Sequence, residues 1–311
     1  RLSTLMIFAC GLMGFGLIGI GLSPNGYFLW PGVLSIGLGF TCFYPIVNSI
    51  CIQHSDPRTV SIAVGHMKSY GPLAALTACF LISVCLPKLG YRSFFVLSGL
   101  FVVLIGLAAG TESPLEQYSD WPGRLRFKKD LWPYYALNFL AGCRSAGVAA
   151  FVLFLLVREH GMLVHQIVAV VLISNFCSFV GYRLIGHLGD RYNPSKVLSF
   201  SYVCVSLIFL GFCYINSLFF LILFYFFDSL LFGVSVVTDS YLKRISCAKD
   251  TIGDVASGLT LFHLGKVILP LAGGVVWSHF NQQATFLVCS ILAGLAVWIS
   301  RKLVIPESDI M

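Results

Sequence analysis

The chain alternates long apolar runs with short polar connectors. Ten runs are long enough to cross a bilayer: roughly 4–22, 28–52, 60–86, 93–110, 132–157, 163–186, 196–215, 218–242, 254–278 and 284–304. A transmembrane helix needs about 20 mainly apolar residues to cross the hydrocarbon core. None of the runs alternates strictly every second residue, which excludes the strands of a membrane β-barrel. Connectors such as Ser23-Pro24-Asn25-Gly26 and Ile215-Asn216-Ser217 carry turn-forming residues. Residues 111–131 form a longer connector that is polar, contains Pro114 and Pro122, and holds Arg124, Arg126, Lys128 and Lys129. The pattern predicts an all-α membrane protein divided there: four helices in 1–110, a cytoplasmic linker over 111–131, and six helices in 132–311.

Composition supports the membrane assignment and narrows the partners. Hydrophobic residues make up 58% of the chain, charged residues 11%, and the mean hydropathy is +0.88. Soluble domains carry about 25% charged residues. The net charge of +7 could suggest nucleic acid, but the basic residues sit in short clusters between apolar runs. With the first helix running outward, the cytoplasmic connectors and ends hold 13 of the 20 Lys and Arg, the outer connectors 3, and the helices 4. This bias predicts a multi-pass protein of the cell membrane with both termini cytoplasmic. Nucleic acid is excluded as a partner. The eleven cysteines are scattered without a C-x-x-C pair, so they read as small apolar residues rather than as a metal or disulfide framework.

Two helices repeat a local pattern. The third contains His66-Met67-Lys68-Ser69-Tyr70-Gly71-Pro72, and the ninth contains His263-Leu264-Gly265-Lys266-Val267-Ile268-Leu269-Pro270. Each has a His shortly before a Lys, and a Pro four residues after it. The matched helices are six apart and run the same way, which implies a parallel six-helix repeat. Six plus six with ten present implies two further helices before Arg1. A second signal is Gly186-His187-Leu188-Gly189-Asp190-Arg191-Tyr192-Asn193-Pro194-Ser195-Lys196, between the sixth and seventh helices. It resembles the G-x-L-x-D-R-x-G-R-R/K loop of the major facilitator superfamily, matching at Gly186, Leu188, Asp190, Arg191 and Lys196. It departs at Asn193 and Pro194, where Gly and a basic residue are usual. The resemblance implies two six-helix halves related by a pseudo-two-fold axis, with family helices 3–6 in the first half and 7–12 in the second. It also implies that the loop latches neighbouring helices in one state of a transport cycle. By itself, Asp190 could pair with Arg191 or cap the next helix near Ser195.

Charged groups inside membrane helices cost about 2.5–3.5 kcal/mol each on insertion scales, so each marks a candidate site. Lys68, Arg144, Asp228 and Lys266 all lie well inside their helices. The family layout implies that they could face one water-filled space. Three cations against one anion then favour an anionic substrate, a carboxylate or a phosphate, bound by Arg144, Lys266 and Lys68, with Asp228 and His263 beside it. The alternative is a structural Arg144–Asp228 pair. His263 and Lys266 share a helix face; His66 and Lys68 do not. Asp228 and Asp239 fall on one face, and Asp239 precedes Lys243 by four residues, which suggests a local pair. Arg183 reads as a structural interface residue near the loop. Asn48, Asn138 and Asn175 read as interhelical hydrogen bonders. Asp228, His263 and His66 are candidate proton carriers, because burial and nearby charge can move their pKa into the working range.

These features predict a secondary active transporter working by alternating access on a small anionic solute with a coupling proton, as a monomer without cofactor or metal. A multidrug efflux antiporter of the same superfamily, or a non-transporting receptor or assembly protein, are the alternatives. An enzyme is not expected, because the chain carries no H-E-x-x-H, no G-x-S-x-G and no paired intramembrane aspartates across helices. Without a P-loop, ATP is not expected to drive it.

Overall fold

A computed structural model describes residues 2–112, 127–246 and 250–303. The central part of the expected linker, with Arg124 and Arg126, lies outside the described residues, as do Arg1, Cys247 and Lys249. The helices are α1 (Leu2–Leu22), α2 (Leu29–His54), α3 (Val60–Glu112), α4 (Trp132–Ala146), α5 (Leu153–Arg158), α6 (Val164–Arg191), α7 (Pro194–Tyr214), α8 (Leu218–Leu230), α9 (Val234–Ile245), α10 (Thr251–His279) and α11 (Gln282–Ser300). No strand occurs among the described residues.

Nine of the described helical stretches are long and apolar enough to cross a membrane, against ten expected. The difference lies in α3, whose 53 residues carry a non-helical Gly90 at φ 73° and ψ 162°. At about 1.5 Å per residue, α3 would measure roughly 80 Å, more than twice the hydrocarbon thickness. It is therefore two spans joined at a kink, the third and fourth of the sequence pattern. Glycine takes this left-handed φ because it has no Cβ to clash with the following carbonyl. The fifth span, Lys129–Arg158, runs through α4, a π-helical turn at Gly147–Val152, and α5. The eighth, Leu218–Ile245, runs through α8, a 3-10 turn at Leu231–Gly233, and α9.

Helix ends follow local chemistry. Asn193 accepts from the Ser195 amide at 2.9 Å and places Pro194 in the first turn of α7. Asn281 accepts from the Ala284 amide at 2.7 Å and starts α11. Each side chain satisfies an amide that has no partner within the helix. After α5, Gly161 takes φ +62° and returns its amide to the Val157 carbonyl at 3.1 Å.

The chain divides into two compact units, Arg1–Ile50 with Thr77–Arg124, and Cys51–Leu76 with Leu125–Met311. In the first unit, the Gly16 position is so close to α2 that a Cβ would meet the Gly32 carbonyl at 2.7 Å. In the second, α11 lies against α7 and α10 against α4. Serines bridge α7 and α11: Ser206 with Ser290 at 2.9 Å, and Ser199 with Ser300 at 2.8 Å. At the α4–α10 crossing, a Cβ at Gly142 would strike the Phe262 carbonyl. Small and hydroxylated residues let membrane helices approach closely where lipid provides no hydrophobic drive.

Apolar side chains of this unit form two clusters. One contains Leu137, Leu140, Leu198, Leu242 and Ile299, the other Val152, Leu156, Phe209, Phe212 and Phe286. Leu140 belongs to the first and Cys143 to the second, so Arg144 stands where the clusters meet.

Candidate functional site

Arg144 and Asp228 form a buried pair, 8% and 0% exposed. Nε and Nη2 of Arg144 both lie 2.9 Å from Oδ1 of Asp228. Nη2 also donates to the Asp228 carbonyl at 2.6 Å, and Nη1 to the Leu231 carbonyl at 3.2 Å. The guanidinium lies over Phe232, 4.8 Å from the ring centroid. The 3-10 turn at Leu231–Gly233 changes the backbone ladder here, and the Leu231 carbonyl, which takes the Val234 amide, offers its second lone pair to Arg144. Ser178 likewise donates to the Ser229 carbonyl at 3.1 Å, which also takes the Leu231 amide. The break is held closely against α6: a Cβ at Gly181 would strike the Leu230 carbonyl, and one at Gly233 would strike the Gly181 carbonyl. Oδ2 of Asp228 is buried without a hydrogen-bond partner.

Lys68 lies 2.7 Å from Asp239, with both side chains 7% exposed. Its ammonium also donates to the Ser235 carbonyl at 3.2 Å and hydroxyl at 3.1 Å. Tyr182 stands within electrostatic reach of both Lys68 and Arg144. Two buried charge pairs, Arg144–Asp228 and Lys68–Asp239, thus join the fifth and third spans to the eighth, with Tyr182 of the sixth span near both. Asp239 differs from expectation: it holds Lys68 from a distant span, while the Lys243 ammonium donates to the Gln53 carbonyl at 2.8 Å. The 3-10 turn also interrupts the helix face expected to be common to Asp228 and Asp239. Sequence reasoning did not assign Tyr182, Ser235 or this role of Asp239. Depth was the available signal: Lys68 is eight residues after Val60 and Asp239 six before Ile245, so both lie roughly 9–12 Å inside the same membrane face.

Lys266 and His263 stand apart from these pairs. Lys266 is exposed on α10, its ammonium 5.1 Å from the Phe262 ring centroid, and it has no carboxylate partner among the described residues. His263 keeps a buried Nε2 without a partner. His66 meets His187 edge-on at 6.4 Å rather than joining Lys68. Two asparagines also differ from expectation: Asn138 donates to the Tyr134 carbonyl and Asn175 to the Val171 carbonyl, each at 2.9 Å within its own helix. Among the described residues no group of three or more His, Cys, Asp or Glu is placed to hold a metal ion.

The loop residues have a defined role. Asp190 accepts from the Ser61 amide at 2.9 Å and the Ile62 amide at 2.8 Å, capping the start of α3 with both oxygens. The expected cap at the next helix is made by Asn193, at the position where the motif departs from its pattern. Gly186 permits the approach, since a Cβ there would meet the Ser61 carbonyl at 2.8 Å. Arg191 and Lys196 are exposed, with the Arg191 guanidinium 5.7 Å from the Tyr192 ring centroid.

Comparisons with known proteins bear on the family and the fold. An MFS-type transporter of Bacillus subtilis, YuxJ, is 33% identical over 125 residues, which is 39% of this chain and 32% of that protein's length. The chain thus aligns with about a third of this curated relative. The E. coli fucose:proton symporter FucP superposes with a TM-score of 0.76 at 15% identity, covering 98% of this chain and 84% of that one. The human organic anion transporter MFSD10 gives 0.71 at 16%, covering 96% and 82%. A bacterial homologue of the iron transporter ferroportin gives 0.73 at 12%, covering 97% and 83%. A model of the Major Facilitator Superfamily matches residues 1–257. With the loop motif, the spans and the fold in agreement, the chain belongs to the Major Facilitator Superfamily of multi-pass membrane proteins.

Proposed function

We propose that this chain acts as a secondary transporter that carries a small anionic solute across the cell membrane by alternating access, with its basic connectors in the cytoplasm. The observation that carries the reading is a charge balance. Asp228 is matched by Arg144 and Asp239 by Lys68, so Lys266 alone of the four predicted embedded charges has no carboxylate partner among the described residues. An exposed ammonium facing lipid at that depth would cost about 2.5–3.5 kcal/mol. Facing a water-filled path, it offers a binding charge for a carboxylate or phosphate. Phe262 steadies it, and His263 on the same face supplies a further polar contact. Arg144 and Lys68 are committed to their carboxylates in this conformation, and they reach substrate only if those pairs open.

Proton coupling rests on Asp228, whose Oδ2 is buried and unpartnered, with His263 and His66 as further carriers. The solved relatives include a fucose:proton symporter and an organic anion transporter, and both modes suit this site. The test is uptake of labelled organic anions by the full-length protein in proteoliposomes, with and without an inward proton gradient. Lys266→Gln is expected to reduce anion uptake at least tenfold. Uptake of cationic drugs in place of anions, or no uptake by the intact protein, overturns the reading.

A further inference from the structure

Arg183 is a second embedded cation without a carboxylate partner, and its geometry differs from that of Arg144. Among the described residues the guanidinium makes one hydrogen bond, from Nε to the Ser69 hydroxyl at 3.4 Å. Ser69 gives its own proton to the His66 carbonyl at 2.7 Å, so its oxygen is the acceptor. The Arg183 guanidinium lies over Phe179, 4.4 Å from the ring centroid. Neither Nη has a partner among the described residues, and neither is a buried orphan. By contrast, all three nitrogens of Arg144 are engaged.

Position argues against a side chain that merely reaches for water. Arg183 is eight residues before Arg191, roughly 12 Å inside the basic end of α6. Phe179 is one turn further from that end, so the contact draws the guanidinium deeper. The neighbouring carboxylate on this face, Asp190, is two turns away, and both its oxygens are taken by the amides of Ser61 and Ile62. His66 and His187, about one turn from Ser69 and Arg183 along their helices, meet edge-on at 6.4 Å. Close packing fixes the register of the two helices: a Cβ at Gly65 would meet the Tyr182 carbonyl at 2.6 Å. The result is a planar donor fork, held in place by a ring and a hydroxyl, with its two outer nitrogens open. That geometry matches the two oxygens of a carboxylate or phosphate.

We propose that Arg183, positioned by Ser69 and Phe179, is a second oxyanion contact on the basic side of Lys266. It rests on the anion-transport reading and adds a station to it. Lys266 lies fifteen residues after Thr251, so the two cations differ in depth by roughly 10 Å. An anion moving between Lys266 and the basic face would thus meet a second cation roughly 10 Å further on.

The experiment is arginine modification of the full-length protein in detergent with phenylglyoxal, read by peptide mass spectrometry. Acetate, inorganic phosphate or a neutral sugar is added at ionic strength held constant with a bulky sulfonate. Arg183 is expected to react at least tenfold faster than Arg144, and to be slowed severalfold by an oxyanion but not by the sugar. Slowing by acetate alone assigns a carboxylate site, and slowing by phosphate alone a phosphate site. Ser69→Ala, a mild change that leaves the charge in place, is expected to weaken the protection. Equal reactivity of the two arginines, or no slowing by either anion, overturns the proposal. The labelling needs no turnover. Protection without uptake therefore removes the transport reading and keeps the site, whereas anion uptake without protection removes Arg183 alone.

Discussion

The ammonium of Lys68 lies 2.7 Å from the carboxylate of Asp239, although 170 residues separate them in the chain and both side chains are almost fully buried. Each charge compensates a desolvation that neither could bear alone. Removing one partner leaves the other as an uncompensated buried charge, at a cost of about 3–5 kcal/mol, whereas removing both can be neutral. Asp239→Asn is therefore expected to lower the thermal midpoint of the detergent-solubilised protein strongly. The double variant Lys68→Met with Asp239→Leu should recover most of the loss. A double variant as unstable as the sum of the two single ones would show that the residues do not act as a pair.

Asp190 caps a helix that does not adjoin it in sequence. Its carboxylate accepts from two amides of the first turn of α3 and also lies at the positive end of that helix dipole. Asp190→Asn keeps one acceptor and loses the charge; Asp190→Ala loses both. The expected order of destabilisation is Ala above Asn, with about 1–2 kcal/mol for the full loss of the cap. Hydrogen exchange at residues 60–64 should rise in the same order. Unchanged exchange there in Asp190→Ala would refute the cap.

Lys128 outside the membrane gives a pH signature. Its ammonium lies 2.9 Å from Asp250 and 3.0 Å from Asp254. Partial burial works against its charge, but the hydrogen bonds to Asp250 and Asp254 outweigh it and hold the pKa above the ordinary lysine range. A raised folded-state pKa adds stability that is fully present below the unfolded value, about 10.4, and is lost as pH rises through the folded value. The thermal midpoints of wild type and Lys128→Met should therefore differ at neutral pH and converge in strong alkali. For a pair this accessible the difference is about 0.5–1 kcal/mol. A gap that stays constant into alkali would mean that the charge of Lys128 plays no part.

The apolar runs made the spans legible, because length and hydropathy alone decide whether a helix can cross a bilayer. They also predicted the break within α3, since one helix of that length cannot fit a single crossing. The two interruptions beside the charges were not legible. A π-turn after Arg144 and a 3-10 turn after Asp228 change the ladder by a single residue, and they leave no mark on an apolar pattern. The asparagines misled for a related reason: inside its own helix, each finds a carbonyl one turn back as near as any on a neighbouring helix.

By itself, the sequence determined that this is a membrane protein of the Major Facilitator type and which side chains carry charge within its spans. Those properties depend on transfer from water to lipid and on local motifs, and both are written residue by residue. Only the tertiary structure decided which charges cancel. Arg144 is matched with Asp228 and Lys68 with Asp239, while Lys266 and Arg183 keep open donors. Pairing depends on the rotation, depth and close approach of helices distant in the chain. Gly181 and Gly233 set one such approach, Gly65 and Gly186 another, and a one-dimensional pattern contains none of that geometry.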